Sequence, residues 1–234
     1  MNRETKSNFV VTATVDSDLI VQAFEDDRCC GCQSQAEMSL ADIHRISVHL
    51  GIPMTAVYDK FCVPSLSNGS FAATGVFLKS AKEHVSCPFA QGDKCTLGRA
   101  KPTSCRMRPL VRNFRKSAER VWRVGYFLPA EPDTTGTVNC KVSDLLLKSH
   151  AIDTEVSYGQ LQLGLLEVER HYNYIANAIG KAPQPRITLE ALRHMYTDWE
   201  NTKTLDENAM QNRTTYRQTL WHFTEPVLGM LNGQ

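Results

Sequence analysis

The chain lacks any apolar run approaching the roughly 18 residues that a bilayer-crossing helix needs, so no such helix is expected. Its opening stretch, "MNRETKSNFVVTATVDSD", mixes acids with basic residues and has only "FVV" as an apolar core, which does not fit a secretory leader. The expected location is therefore the reducing cytoplasm, where disulfides are disfavoured. An excess of one charge is lacking too. The chain holds 26 Lys and Arg against 25 Asp and Glu, a formal net charge of +1, so it does not advertise a nucleic acid or a membrane surface as its partner. There is no internal repeat and no low-complexity tract. Neither a Ser-His-Asp set, a P-loop nor a dinucleotide fingerprint is visible, and none of the 7 histidines forms an HxxxH or HExxH pair.

What is present is a soluble, globular composition, 42% apolar and 22% charged. At 234 residues the chain makes one large domain or two small ones and buries a core without disulfide staples. Its 8 cysteines therefore ask for metal or redox chemistry. Residues 25–35, "EDDRCCGCQSQ", crowd Cys29, Cys30 and Cys32 together. Two residues between cysteines let the backbone curl around an ion, so Cys29 and Cys32 can present two thiolates to one metal. Cys87, Cys95 and Cys105 follow in a turn-rich stretch, and Cys140 ends a second one. Thiolates suit zinc and iron–sulfur clusters, and spacing does not choose between them. A thioredoxin-type pair fits poorly, because this CxxC does not follow a strand and open a βαβ helix. Cys62, in "YDKFC" on an amphipathic helix, is expected to pack as a small hydrophobe. His84, three residues before Cys87, is the one histidine placed for a metal.

The pattern predicts a mainly α fold with an irregular, loop-rich metal-binding cysteine module and a few short strands. Residues 1–23 read as an N-terminal arm with a strand near Phe9–Val15, 24–145 as the cysteine module, and 146–234 as a helical region packing on it. Ser39 caps a helix with Asp42 as its capping-box partner; Leu40, Ile43, Ile46 and Leu50 share a face, and Gly51 stops it. Pro53 opens a second helix running to about Phe61. "PSLSNGS" reads as a loop, "FAATGVFL" as a hairpin arm, "RVWRVGYFL" as a strand and "EPDTTGTVNC" as a linker. Three helices follow: one ending at Gly180, one capped by Thr188, and one in "RTTYRQTLWHFTEPVLGML". The aromatics Tyr172, Tyr174, Tyr196, Trp199, Tyr216, Trp221 and Phe223 are expected to form the core of these helices.

Three segments carry a family resemblance. Phe24 precedes the "CCGC" run; "MSLADIHRISVHLG" spans 38–51; "CPFAQGDKCTLGRAKPTSCRMRPL" spans 87–110. In this order they resemble the CxxCxxCC cysteine-cluster family, also called YkgJ-type, a zinc- or iron-chelating group. The likeness runs from about 24 to 160 and takes in "VNCKVSDLLLKSHAIDTEVSYGQL". In the register that puts Cys29 and Cys32 on family cysteines, Asp26 and Gln33 stand where two further cysteines would be, and Cys30 is extra. Either Cys30 replaces a missing ligand or the site has fewer thiolates. The resemblance implies an iron–sulfur cluster, [4Fe–4S] in the first instance, or zinc, held by Cys29, Cys30, Cys32, Cys87, Cys95 and Cys105, with Cys140 as a further candidate. One branch of the family is similar to protein lysine-N-methylases, so a cluster-dependent modifying enzyme using S-adenosylmethionine is the second reading. This chain has neither a CxxxCxxC loop nor a glycine-rich loop after a strand to support it.

Residues 99–123 carry Arg99, Lys101, Arg106, Arg108, Arg112, Arg115, Lys116, Arg120 and Arg123 against Glu119 alone. A thiolate-ligated cluster is a net anion that nearby cations stabilise, and Arg106, next to Cys105, is the expected cofactor-side residue. The same stretch could instead face an anionic partner beside a structural metal, or be a solvated basic surface.

Overall fold

The computed structural model describes residues 9–13, 20–24, 29, 36–66, 73–79, 87–116, 122–129, 137–179 and 185–232. In chain order its elements are β1 (Phe9–Ala13), β2 (Ile20–Phe24), α1 (Leu40–Leu50), α2 (Met54–Phe61), β3 (Cys62–Leu66), β4 (Ala73–Leu78), β5 (Ala90–Gln91), β6 (Lys94–Cys95), α3 (Thr103–Arg106), β7 (Val111–Lys116), β8 (Trp122–Pro129), β9 (Thr137–Lys141), α4 (Val142–Lys148), α5 (Glu155–Ile179), α6 (Pro185–Thr197) and α7 (Leu205–Asn232). The described residues are thus mainly helical with a few short strands. Among them, no helix is long and apolar enough to cross a membrane.

Local chemistry explains α1 fully. The Ser39 side chain accepts the Asp42 N–H at 3.2 Å, and Asp42 accepts the Ser39 N–H at 2.9 Å, closing the capping box. Leu40, Ile43 and Ile46 are buried, each such side chain stabilising by about 2 kcal/mol, whereas Leu50 at the helix end is exposed. Gly51 then takes a left-handed φ of 65°, which a side chain would strain. After Pro53, α2 runs into β3 without a loop, so Cys62 is the first residue of a strand, opposite Leu78 on β4, rather than part of a helix.

β1 and β8 stand where strands were expected, whereas β2, β7 and β9 were not expected. β1, β8 and β7 form an antiparallel sheet in the order β1-β8-β7, and β2 pairs with β9. The N-terminal stretch therefore contributes strands to ladders with distant partners, and the expected linker ends in β9. The late helices also start earlier than expected. α6 begins at Pro185, leaving Thr188 inside it. α7 begins at Leu205 behind a capping box that "TLDE" spells out: Thr204 N and Oγ1 each donate to Glu207 Oε2 at 2.8 Å. Gly180 lies outside the described residues.

Two cores result. The larger joins α1, α2 and β4 to the 87–105 stretch and to α5, α6 and α7, through Ile43, Val57, Val76, Phe89, Leu97, Leu192 and Tyr196 among others. The smaller joins β2, β8 and α4 through Val21, Tyr126, Val142 and Leu146, with Met107 and Leu110. Of the C-terminal aromatics, Tyr196 and Tyr216 are core residues. Trp199 stacks on His44 with ring centroids 4.0 Å apart. Tyr174 and Trp221 are exposed, a correction to the expectation for the set, and the side chains of Tyr172 and Phe223 lie outside the described residues.

Candidate metal centre

The 87–105 stretch has little regular structure of its own. β5 and β6 are two residues each, Ala90 facing Cys95, joined by a turn at Gly92 with φ 64°. Backbone bonds from Ala90 N to Cys87 O (2.9 Å) and from Thr96 N to Phe89 O (2.8 Å) shape this small hairpin. The ring of Phe89 packs on Phe61 at 4.7 Å, and Leu97 is buried behind it. Cys95 thereby lies on one arm of a tight hairpin, and Cys87 stands three residues before the other arm, in the turn that leads into it. Cys105 sits in the single turn of α3, its N–H bonded to Pro102 O at 3.0 Å.

The N-terminal cysteine segment meets this hairpin directly. The backbone N–H of Cys29 donates to Asp93 O, in the hairpin turn, at 2.6 Å. Cys87 and Cys105 are buried members of the larger core, and Cys29 and Cys95 are partly buried against it. Four of the expected ligands, from segments more than fifty residues apart, therefore share one core. Cys30 and Cys32, with Asp26, Gln33 and His84, lie outside the described residues. Among the described residues, no three His, Cys, Asp or Glu side chains come together as a group that could hold a metal ion.

The turn carrying Cys105 is held by α1. Asp42 Oδ1 accepts the Thr103 N–H at 2.8 Å and the Thr103 hydroxyl at 3.0 Å, while its Oδ2 accepts the Ser39 hydroxyl at 2.7 Å. Arg45 pairs with Asp42 and also donates to Thr103 Oγ1 at 2.9 Å. Burial alone would push the Asp42 carboxyl pKa up. The Arg45 guanidinium and the bonds from Ser39 and Thr103 outweigh it and hold the group below the ordinary carboxylate value. The Ser104 hydroxyl adds a bond to Glu37 O at 2.7 Å. Capping chemistry made Asp42 visible in the sequence; its grip on the Cys105 turn was not.

The other two described cysteines stand apart. Cys62 is buried, and its thiol is pushed up to about 12 by burial, as befits a reduced packing residue. Cys140 is not brought to the hairpin. It faces Val21 across the β2–β9 ladder and packs on the smaller core, with burial raising its thiol pKa.

The basic stretch is no open cationic face over its described side chains. Arg99 is exposed, Arg106 and Arg108 are half-buried, and Lys101 and Arg112 are only 3% and 5% exposed. Arg106 follows Cys105 as the last residue of α3. Arg112 is absorbed by the fold: it donates to Thr154 Oγ1 at 2.8 Å and lies 3.9 Å over the Tyr158 ring. The side chains of Arg115, Lys116, Arg120 and Arg123 lie outside the described residues.

Sequence reasoning missed a polar group beside this region. The Glu37 carboxylate lies 3.2 Å from the Tyr158 hydroxyl at both oxygens and accepts Gln162 Nε2 at 3.1 Å. Burial pushes Glu37 up to about 7, opposed by the charge of Arg112. Tyr126, on β8, donates to Glu155 at 2.7 Å nearby. No local signal marks Glu37, because the hydrogen-bond partners of its carboxylate stand more than a hundred residues away. Comparison with protein-family models, curated proteins and solved structures gives no match.

Proposed function

We propose that this chain is a metal-binding cysteine-cluster protein that carries an iron–sulfur cluster, with zinc as the alternative metal. The thiolates of Cys29, Cys30 and Cys32 would bind it together with Cys87, Cys95 and Cys105. The observation that supports this reading is the Cys29 N–H bond to Asp93 O, which brings Cys29 to the turn of the hairpin that carries Cys95. The donor type supports it: Cys29, Cys87, Cys95 and Cys105 belong to or pack on one core, and soft thiolates select zinc or iron–sulfur clusters. The likeness to the CxxCxxCC pattern points the same way. Arg106, adjacent to Cys105, supplies positive charge where a thiolate-ligated centre is anionic. With only two-residue strands and single helical turns between Cys87 and Cys105, the bound group would also hold this backbone in place, coupling binding to folding. Such chemistry suits a reducing compartment.

Anaerobic purification followed by metal and acid-labile sulfide analysis and an absorption spectrum tests the proposal. Iron with matching sulfide and broad visible absorption supports the cluster; one zinc without sulfide replaces it by zinc. A folded protein that binds neither overturns the reading.

A further inference from the structure

The backbone just ahead of α1 is pinned on two sides. Met38 N donates to Val76 O and Leu78 N to Ala36 O, both at 2.8 Å, so residues 36–38 run along β4 with Glu37 bridged to Phe77. The Ser104 hydroxyl holds Glu37 O from α3. The Glu37 side chain reaches α5 instead, and it is only partly buried, so its carboxyl can exchange a proton with solvent. Tyr158 offers that carboxyl one hydrogen for two oxygens, standing 3.2 Å from each. Gln162, one turn further along α5, adds an N–H to Oε1 at 3.1 Å. An ionised Glu37 accepts both bonds. A protonated Glu37 is itself a donor, and the acceptor at hand is the same Tyr158 oxygen, so the bond reverses direction. The reversal takes place under the Arg112 guanidinium, which lies 3.9 Å over the Tyr158 ring and bonds Thr154 just ahead of α5.

Two bonding arrangements at one contact between a fixed strand and a helix make a two-state element. We propose that the Glu37–Tyr158 contact is a proton-operated latch, which fastens the first two turns of α5 to residues 36–38 when Glu37 is protonated and loosens them when it ionises. The ionised carboxylate has about four lone-pair sites and two side-chain donors here, so water competes for it as it does not for the neutral acid. Burial pushes the Glu37 carboxyl up to about 7, which sets the change near neutrality. Arg112 of β7 and the Tyr158 bond favour the ionised form, and Asp42 of α1 favours the protonated one. Tyr196 of α6 also faces Glu37, while β4 brings no charged residue. The proposal is independent of the metal reading.

Backbone amide hydrogen exchange of the full-length protein tests it, corrected for the intrinsic effect of pH on exchange. Between about pH 5.5 and about pH 8, protection over residues 155–165 should fall by more than about tenfold, given carboxyl values of about 7 with the latch closed and 4.5 with it open. Exchange there should be insensitive to dilute urea, because a local opening exposes little surface. Amides of α6 around buried Leu192 should keep the urea dependence of whole-molecule unfolding. Glu37→Gln, which cannot ionise, should hold 155–165 at the low-pH protection throughout. Tyr158→Phe keeps the ring under Arg112 but removes the hydrogen that the carboxylate accepts, so the fall should move to higher pH. No fall in wild type, an equal fall in Glu37→Gln, or a urea dependence at 155–165 equal to that of α6 would overturn the proposal. If Glu37→Gln does not fold, an unmoved fall in Tyr158→Phe overturns it instead.

Discussion

Asp42, in the first turn of α1, accepts the backbone N–H of Thr103 at 2.8 Å, so one carboxylate both caps its own helix and fixes the turn that bears Cys105. Asp42→Asn should therefore do more than weaken a cap. It leaves Arg45 without its counter-charge and disturbs the bonds to Ser39 and Thr103, a loss of about 3–5 kcal/mol by the measure of broken buried pairs. Because the folded pKa is depressed, this stabilisation is present above the ordinary carboxylate range and is lost as pH falls through the folded pKa. Denaturant melts at neutral and acidic pH should converge for wild type and variant as the pH drops.

The cysteines should divide by core. If the proposed centre is bound, Cys87→Ser and Cys105→Ser should abolish or sharply reduce metal content and lower the thermal midpoint, since both are buried in the core that Cys29 packs on. Cys62→Ala should keep its metal while losing about 1 kcal/mol of packing. Cys140→Ser should keep it too, because Cys140 packs on the smaller core. Metal per protein, measured on the four variants side by side, checks the division.

Glu37 should make stability fall as pH rises. Its carboxyl holds a proton up to about 7 in the native state, against an ordinary value of 4.5, so between those limits the folded chain binds more protons than the unfolded one. The folded state loses at most about 3 kcal/mol across that window. Arg112, Tyr158 and Asp42 are the charged and titratable groups that act on it. Glu37→Gln should match wild type near pH 4.5 and be more stable at pH 8. Thermal midpoints measured across this range, with a slope as steep in the variant as in wild type, would rule Glu37 out as the source.

Arg112→Met should expose the same coupling from the other side. The guanidinium donates to Thr154, lies over the Tyr158 ring and lowers the Glu37 pKa. Its loss should cost about 2–3 kcal/mol and move the Glu37 titration to higher pH. Arg112→Lys should not restore the wild-type midpoint, because an ammonium cannot reproduce the flat guanidinium contact. Carboxyl carbon shifts followed by NMR would report the titration.

Much of the local structure was legible from residues alone. Ser39, Asp42, Gly51 and Pro53 delimit α1 and open α2 because caps and breakers act within a few residues. The same chemistry in Thr204 and Glu207 opens α7, well ahead of the aromatic run that marks the helix further on. β2 and β9 were invisible for a different reason: each is specified by the other, and a strand whose partner is distant carries no periodic signature strong enough to announce it.

The same limit divides the candidate site. The sequence by itself determined that cysteines gather in two clusters too dense for packing, and that the residues after the first would make a capped helix. Only the tertiary structure decided that Cys29 meets the Cys87–Cys95 hairpin, that Cys140 belongs to another core, and that Arg112 is spent inside the fold. Residue type sets which bonds a side chain can form. Which of them it forms depends on neighbours that chain folding brings from far along the sequence, and a single sequence does not encode that proximity in any local pattern.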